Sequence, residues 1–145
     1  MSRYLGLDIG DKTVGVAVSD PLFLTAQGVT TIERVGIRKD TTKVVEYVKE
    51  YDASLVVAGL PLMLSGEDSP QTAKVREFVT LLENKLRSSG LANVQVVFQD
   101  ERFTTKMSES VLMEAGVRRE NRKQHLDRMA AQLILQTYMD SHPVK

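Results

Sequence analysis

The residues most able to do chemistry are a small set of carboxylates placed where apolar segments end. Asp8 closes the run Tyr4-Leu5-Gly6-Leu7, where a carboxylate is costly to bury unless it is paired or bound to a metal ion. It could equally be a turn former that hydrogen-bonds the backbone of Ile9-Gly10-Asp11. Asp11 sits within that turn and is the weaker candidate. Asp100 and Glu101 follow the apolar stretch Val94–Phe98 in the same way. Alternation sends adjacent side chains to opposite faces, so one of the pair faces a given site while the other caps a helix or pairs with Arg102. Asp127 lies among Leu126, Ala130 and Ala131, whose small side chains let a helix approach a sheet closely. An exposed pair with Lys123 or Arg128, worth about a few tenths of a kcal/mol, is the plainer alternative.

Three carboxylates from two strand ends and a helix would repel one another without a cation. The chain has no cysteine and two histidines, so an oxygen-only ligand set of Asp8, Asp127 and one of Asp100 and Glu101 selects hard cations, Mg²⁺ or Mn²⁺. Two such ions about 3.5–4 Å apart activate a water and stabilise the leaving oxygen of a phosphoryl displacement. Close by in sequence, Arg118, Arg119, Arg122, Lys123 and Arg128 outnumber Glu120 and Asp127. Such a cluster is either a solvated face or the approach for a polyanion. Lys12, in the turn after Asp8, joins it as a substrate-binding candidate.

The elements that must position these groups follow from periodicity. Tyr4–Ile9 reads as a buried strand, Thr13–Ser19 as a second joined to it by the hairpin turn Gly10-Asp11-Lys12, and about Gln27–Arg34 as a third. Val44, Tyr47, Val48 and Tyr51 recur at helical spacing over about Lys39–Tyr51. Leu55–Leu60 is a buried strand. Ser69-Pro70 starts a helix that Val75, Phe78, Val79, Leu82 and Leu86 continue and Gly90 closes. Val94–Phe98 is a fifth strand. A helix capped by Thr104 or Thr105 runs to Gly116, and a last one from about Arg122 to Ser141 buries Leu126, Met129, Ala130, Leu133 and Thr137. Three antiparallel strands followed by helix-linked parallel strands predict an α/β fold, a mixed five-stranded sheet flanked by helices in one domain over residues 1–145. Sites in such sheets gather at the strand C-terminal ends.

Composition narrows the function classes. In 145 residues, 42% hydrophobic and 26% charged, there is material for one sizeable core. No apolar run suggests a membrane span, and Asp8, Asp11 and Lys12 stand where a signal peptide needs its apolar stretch. The expected compartment is the cytoplasm, in keeping with the lack of cysteine. Nineteen basic and nineteen acidic residues cancel, so net charge does not discriminate among partners.

LGLDIGDKTVGVAVSD (Leu5–Asp20), VVAGLPLMLSGE, QDERFTT and RRENRKQHLDRMAAQLILQTYMD, in this order, resemble the pre-16S rRNA nuclease family, also called YqgF or RuvX and Holliday junction resolvase-like. The resemblance implies an RNase H-like fold, a cytoplasmic bacterial location and trimming of the 5′ end of precursor 16S rRNA, with the pre-ribosomal small subunit as partner. It carries the family's acidic positions onto Asp8, the Asp100-Glu101 pair and Asp127, with Glu101 preferred within the pair, and sets Arg102 beside a phosphate. Two departures bear on substrate contacts. Met63, Leu64 and Ser65 replace the amide and carboxylate that many members have after Gly-Leu-Pro-Leu, and Thr13 stands where many have Arg. The competing functions are a Holliday junction DNA nuclease and a non-catalytic RNA-binding assembly factor. A nucleotide-binding ATPase of the same topology is disfavoured, because it needs two such domains to clamp its nucleotide, so no nucleotide cofactor is expected.

Overall fold

The computed structural model describes residues 3–100 and 119–143, with side-chain surroundings given for 3–100 and 129–143. Strands β1 (Arg3–Ile9), β2 (Thr13–Ser19) and β3 (Ala26–Glu33) form an antiparallel meander. Helix α1 (Ile37–Glu50) leads to β4 (Ala53–Leu60), α2 (Pro70–Ser88) to β5 (Gln95–Asp100), and α3 (Arg119–Ser141) is the last described element. The sheet order is β3-β2-β1-β4-β5, with β4 parallel to both β1 and β5. The mixed five-stranded sheet expected from the sequence is the one observed. The helix expected before Gly116 lies outside the described residues.

Both faces of the sheet are covered, which explains why β2 and β4 are buried along nearly their whole length rather than at alternate residues. On one face, α1 and α2 close a core around Leu5, Leu7, Val14, Val16, Val56, Phe78 and Leu82. On the other, α3 packs across all five strands over Ala17, Ala26, Leu55 and Val57. Local chemistry sets the helix ends. Ser69 and Thr72 form a reciprocal capping box that brackets Pro70 at the first helical position, and Gly90 at φ 78° ends α2 in the left-handed region.

The stripe expected for the last helix needs correction. Among the described residues the buried ones are Ala130, Ala131, Ile134, Leu135 and Met139, whereas Thr137 is exposed and Met129 and Leu133 are half-buried; the side chain of Leu126 lies outside the described residues. Met129 to Leu135 is apolar on several sides of the helix, so periodicity alone does not pick the face. The sheet does. A Cβ at Gly6 would lie 2.8 Å from Leu135 Cβ and 2.9 Å from the Ala131 carbonyl oxygen. Only glycine lets α3 rest its Ala131–Leu135 line directly on β1.

Candidate active site

Parallel register brings the C-terminal ends of β1, β4 and β5 to one edge of the sheet, with Leu7 beside Ala58 and Ala58 beside Phe98. One residue further along, Asp8 comes level with Gly59, which pairs with Gln99. Side-chain direction follows from the cores. Gly6 meets α3, so Asp8, two residues on, projects from the same face. Asp8 is half-buried there, across the ladder from Gly15.

Helix α3 runs antiparallel to β1 on this face. The Tyr4 and Tyr138 rings meet edge to face at 6.3 Å, and Gly6 meets Ala131 and Leu135. Two strand residues span roughly 6.6 Å, about four residues of helix. Asp8 therefore faces the stretch of α3 just before Ala131. Position 127 lies one helical turn before Ala131 on the same line, although the surroundings of the Asp127 side chain fall outside the described residues.

Asp100 is placed differently from Asp8. It is the last residue of β5 and pairs with Leu60, which belongs to the α1–α2 core. Asp100 therefore projects to the face opposite Asp8, two strands and roughly 10 Å of backbone away. Its inclusion among the catalytic candidates is not supported by this geometry. Glu101, Arg102 and Arg118 lie outside the described residues. Arg119, Arg122 and Lys123 occupy the opening turns of α3. Lys12 is exposed at the tip of the β1–β2 turn. Asp11, the weaker candidate, is exposed and forms a 3.0 Å pair with Lys74. Among the described residues no group of three or more His, Cys, Asp and Glu is positioned to hold a metal ion, a description that does not take in the side chains of Glu101 and Asp127.

Sequence reading missed two features. Gln99 shares the α3 face and the register row of Asp8, with side-chain-free Gly59 between them. The alternation of Val97 and Gln99 along the strand is the signal that could have found it. The second is the scaffold behind the turn. The Gly10 N–H donates to the Thr13 carbonyl at 2.9 Å, and the Arg34 N–H to the Lys12 carbonyl at 2.9 Å. The Arg34 guanidinium donates to the Gly10 carbonyl from Nη1 and to Asp40 Oδ2 from Nε, both at 2.9 Å. Asp40, whose side chain has no exposure, also accepts from the N–H groups of Val35 and Gly36. Burial works to raise its carboxyl, but those N–H groups and Arg34 outweigh that and hold it below the ordinary carboxylate value. This network ties the connection between β3 and α1 back to the β1–β2 turn, 24 residues away from Arg34 at Gly10, a contact that no local pattern reveals.

Comparison with known proteins gives a consistent picture. The model of the RuvX family, described as Holliday junction resolvase, matches residues 2–141. A Clostridioides difficile (strain 630) protein named "Putative pre-16S rRNA nuclease" is 45% identical over 138 residues, 95% of this chain and 94% of that protein. One of the same name from Clostridium novyi (strain NT) is 43% identical over 139 residues, covering 96% and 98%. Among solved structures, Thermus thermophilus RuvC in complex with a Holliday junction substrate superposes with a TM-score of 0.59 at 15% identity, over 99% of this chain and 97% of that one. The Fowlpox virus resolvase bound to Holliday junction DNA gives 0.58 at 18%, over 98% and 99%. At these identities the structural likeness establishes a common fold, the RNase H-like one expected from the sequence.

Proposed function

Because the chain belongs to the RuvX family of Holliday junction resolvases, we propose that it is a metal-dependent nuclease that hydrolyses phosphodiester bonds in the 5′ leader of precursor 16S rRNA. The observation that carries this reading is the register of β1 against α3, which turns Asp8 toward the line bearing position 127. With Asp100 on the opposite face, Glu101 is the member of the acidic pair we assign to the site. The donor set is carboxylate oxygens from Asp8, Glu101 and Asp127, with cysteine absent from the chain. It suits hard divalent ions, a pair of Mg²⁺ or Mn²⁺. When bound, such ions supply charge neutralisation at the phosphate and an activated water.

The protein's own residues supply the rest. Packing of α3 on Gly6 fixes the distance between the strand and helix that carry the ligands. Arg119, Arg122 and Lys123 precede Asp127 in α3 by one to about two turns, and together with Arg118 they steer the phosphate backbone toward it. We assign Lys12, exposed at the tip of the β1–β2 turn, and Arg102 as phosphate contacts. The choice of precursor rRNA over branched DNA rests on relatives above 40% identity across nearly their whole length. The resolvases share the fold at under 20% identity. No described helix is long and apolar enough to cross a membrane. The proposed setting is the pre-ribosomal small subunit in the cytoplasm.

Incubating the pure protein with labelled 5′-extended 16S precursor, unrelated RNA and four-way DNA junctions, each with Mg²⁺, Mn²⁺ or EDTA, tests the reading. Metal-dependent cutting of the precursor is the expected result. Cutting of the DNA junction alone would transfer the function to branched DNA. Tight RNA binding without cutting of any substrate would leave a non-catalytic assembly factor.

A further inference from the structure

We infer that Arg34, locked by buried Asp40, and Gln71 are positioning residues that hold the end of β1 so that Asp8 presents its carboxylate in one fixed direction. This rests on the reading of Asp8 as a metal ligand. The carbonyls that follow Asp8 are gripped from two directions. Gln71 Nε2 donates to the Ile9 carbonyl at 3.3 Å, and Arg34 Nη1 donates to the Gly10 carbonyl at 2.9 Å. The Arg34 backbone N–H takes the Lys12 carbonyl on the far side of the turn.

Each gripping residue is itself anchored. Arg34 is 18% exposed and Asp40 0%, and the guanidinium also lies over the buried Phe78 ring, 5.3 Å from its centroid. Its planar fork uses Nε for Asp40 and Nη1 for Gly10, two directions that a single lysine ammonium cannot reproduce at once. Gln71 sits in the first turn of α2. That turn is tied to the end of β4, because Ser69 Oγ and Thr72 Oγ1 both donate to the Pro61 carbonyl, at 3.0 and 2.7 Å. The turn after Asp8 is therefore referenced to β3, α1, α2 and β4 together. None of these contacts touches the α3 face where the substrate would lie.

The effect belongs to the ligand's orientation, so metal affinity and turnover should respond while nucleic acid affinity does not. Arg34→Lys and Gln71→Ala are compared with wild type by counting free Mn²⁺ by electron paramagnetic resonance, without nucleic acid, beside melting curves and the KM and kcat of cleavage. Leu86→Ala, in the core at the far end of α2, serves as the control for lost stability. The expected result is Mn²⁺ affinity and kcat lowered roughly tenfold in Arg34→Lys, as for partners that orient metal ligands, with KM for RNA unchanged and Leu86→Ala binding Mn²⁺ as wild type does. Equal Mn²⁺ affinity in Arg34→Lys and wild type would overturn the inference and leave Arg34 a strut of the core, as would a wild-type protein that binds no Mn²⁺. Mn²⁺ binding that responds to Arg34→Lys in a wild-type protein that cuts nothing would uphold the positioning role and overturn the nuclease reading alone.

Discussion

Substituting Gly6 by alanine tests whether the close approach of α3 to β1 sets up the site. The added methyl would stand 2.8 Å from Leu135 Cβ and 2.9 Å from the Ala131 carbonyl oxygen. Carbon atoms rest at about 3.5–4.0 Å, so α3 must retreat by at least roughly half an ångström. One of the two obstacles is backbone, so no rotamer change relieves it. Overpacking costs about 1–3 kcal/mol, and a clash with a helix backbone belongs at the upper end. At about 3 kcal/mol the melting midpoint falls by roughly 10 °C. The same retreat draws position 127 away from Asp8. A misplacement approaching 1 Å lowers turnover by up to about a hundredfold, so cleavage should fall well below that of Leu86→Ala at matched stability. The assay is a thermal melt beside cleavage of labelled precursor at a temperature where both variants are folded. A Gly6→Ala protein that melts and cuts like wild type would refute the idea that this close approach spaces the strand and helix. One that loses stability but keeps full turnover would detach the packing from the site.

Asp40→Ala leaves Arg34 without its buried partner and should cost about 3–5 kcal/mol, read by urea unfolding. Because the Asp40 carboxyl is held below its unfolded value, its contribution is fully present above the unfolded carboxylate range and is lost as pH falls through the folded value. Wild type should therefore lose stability more steeply than Asp40→Asn on acidification below about pH 4, in unfolding titrations across that range. Ser69→Ala removes the side-chain half of the α2 capping box and should cost about 1 kcal/mol in the same unfolding assay, with Gln71 less firmly placed. Neutralising Arg118, Arg119, Arg122 and Lys123 together should flatten the salt dependence of RNA binding, by up to about 0.7 in slope for each phosphate that is no longer neutralised. An unchanged slope in filter binding would make the cluster a solvated face.

Much of the fold could be read from the sequence because its signals are local. Val14, Val16 and Val18 at period two, the apolar run at Leu55–Leu60, and Ser69-Pro70 each specify an element without help from distant residues. The order of those elements then leaves few sheet topologies. Asp8 was legible for the same reason, as a carboxylate ending an apolar strand. What stayed hidden depends on packing across the fold. The buried side of α3 is set by Gly6, more than a hundred residues away, and not by the helix's own pattern. The opposite facing of Asp8 and Asp100 follows from pairing through β4, which alternation within one strand cannot supply. Arg34 and Asp40 look like ordinary surface charges in sequence, and what covers them comes from elsewhere, the Arg34 guanidinium lying over the Phe78 ring of α2.

The central claim is that Asp8 is a metal ligand of a nuclease and not a turn residue, and Asp8→Asn tests it most directly. Asparagine is nearly isosteric, so packing at the end of β1 is preserved, while one charge leaves the carboxylate set that the proposal assigns to the site. The measurement is cleavage of labelled 5′-extended 16S precursor in Mg²⁺ by wild type and Asp8→Asn, at a temperature where melts show both folded. The account predicts no cleavage by Asp8→Asn, undiminished RNA binding, and a metal-free melting temperature equal to or above that of wild type. Cleavage by Asp8→Asn at the wild-type rate would contradict it.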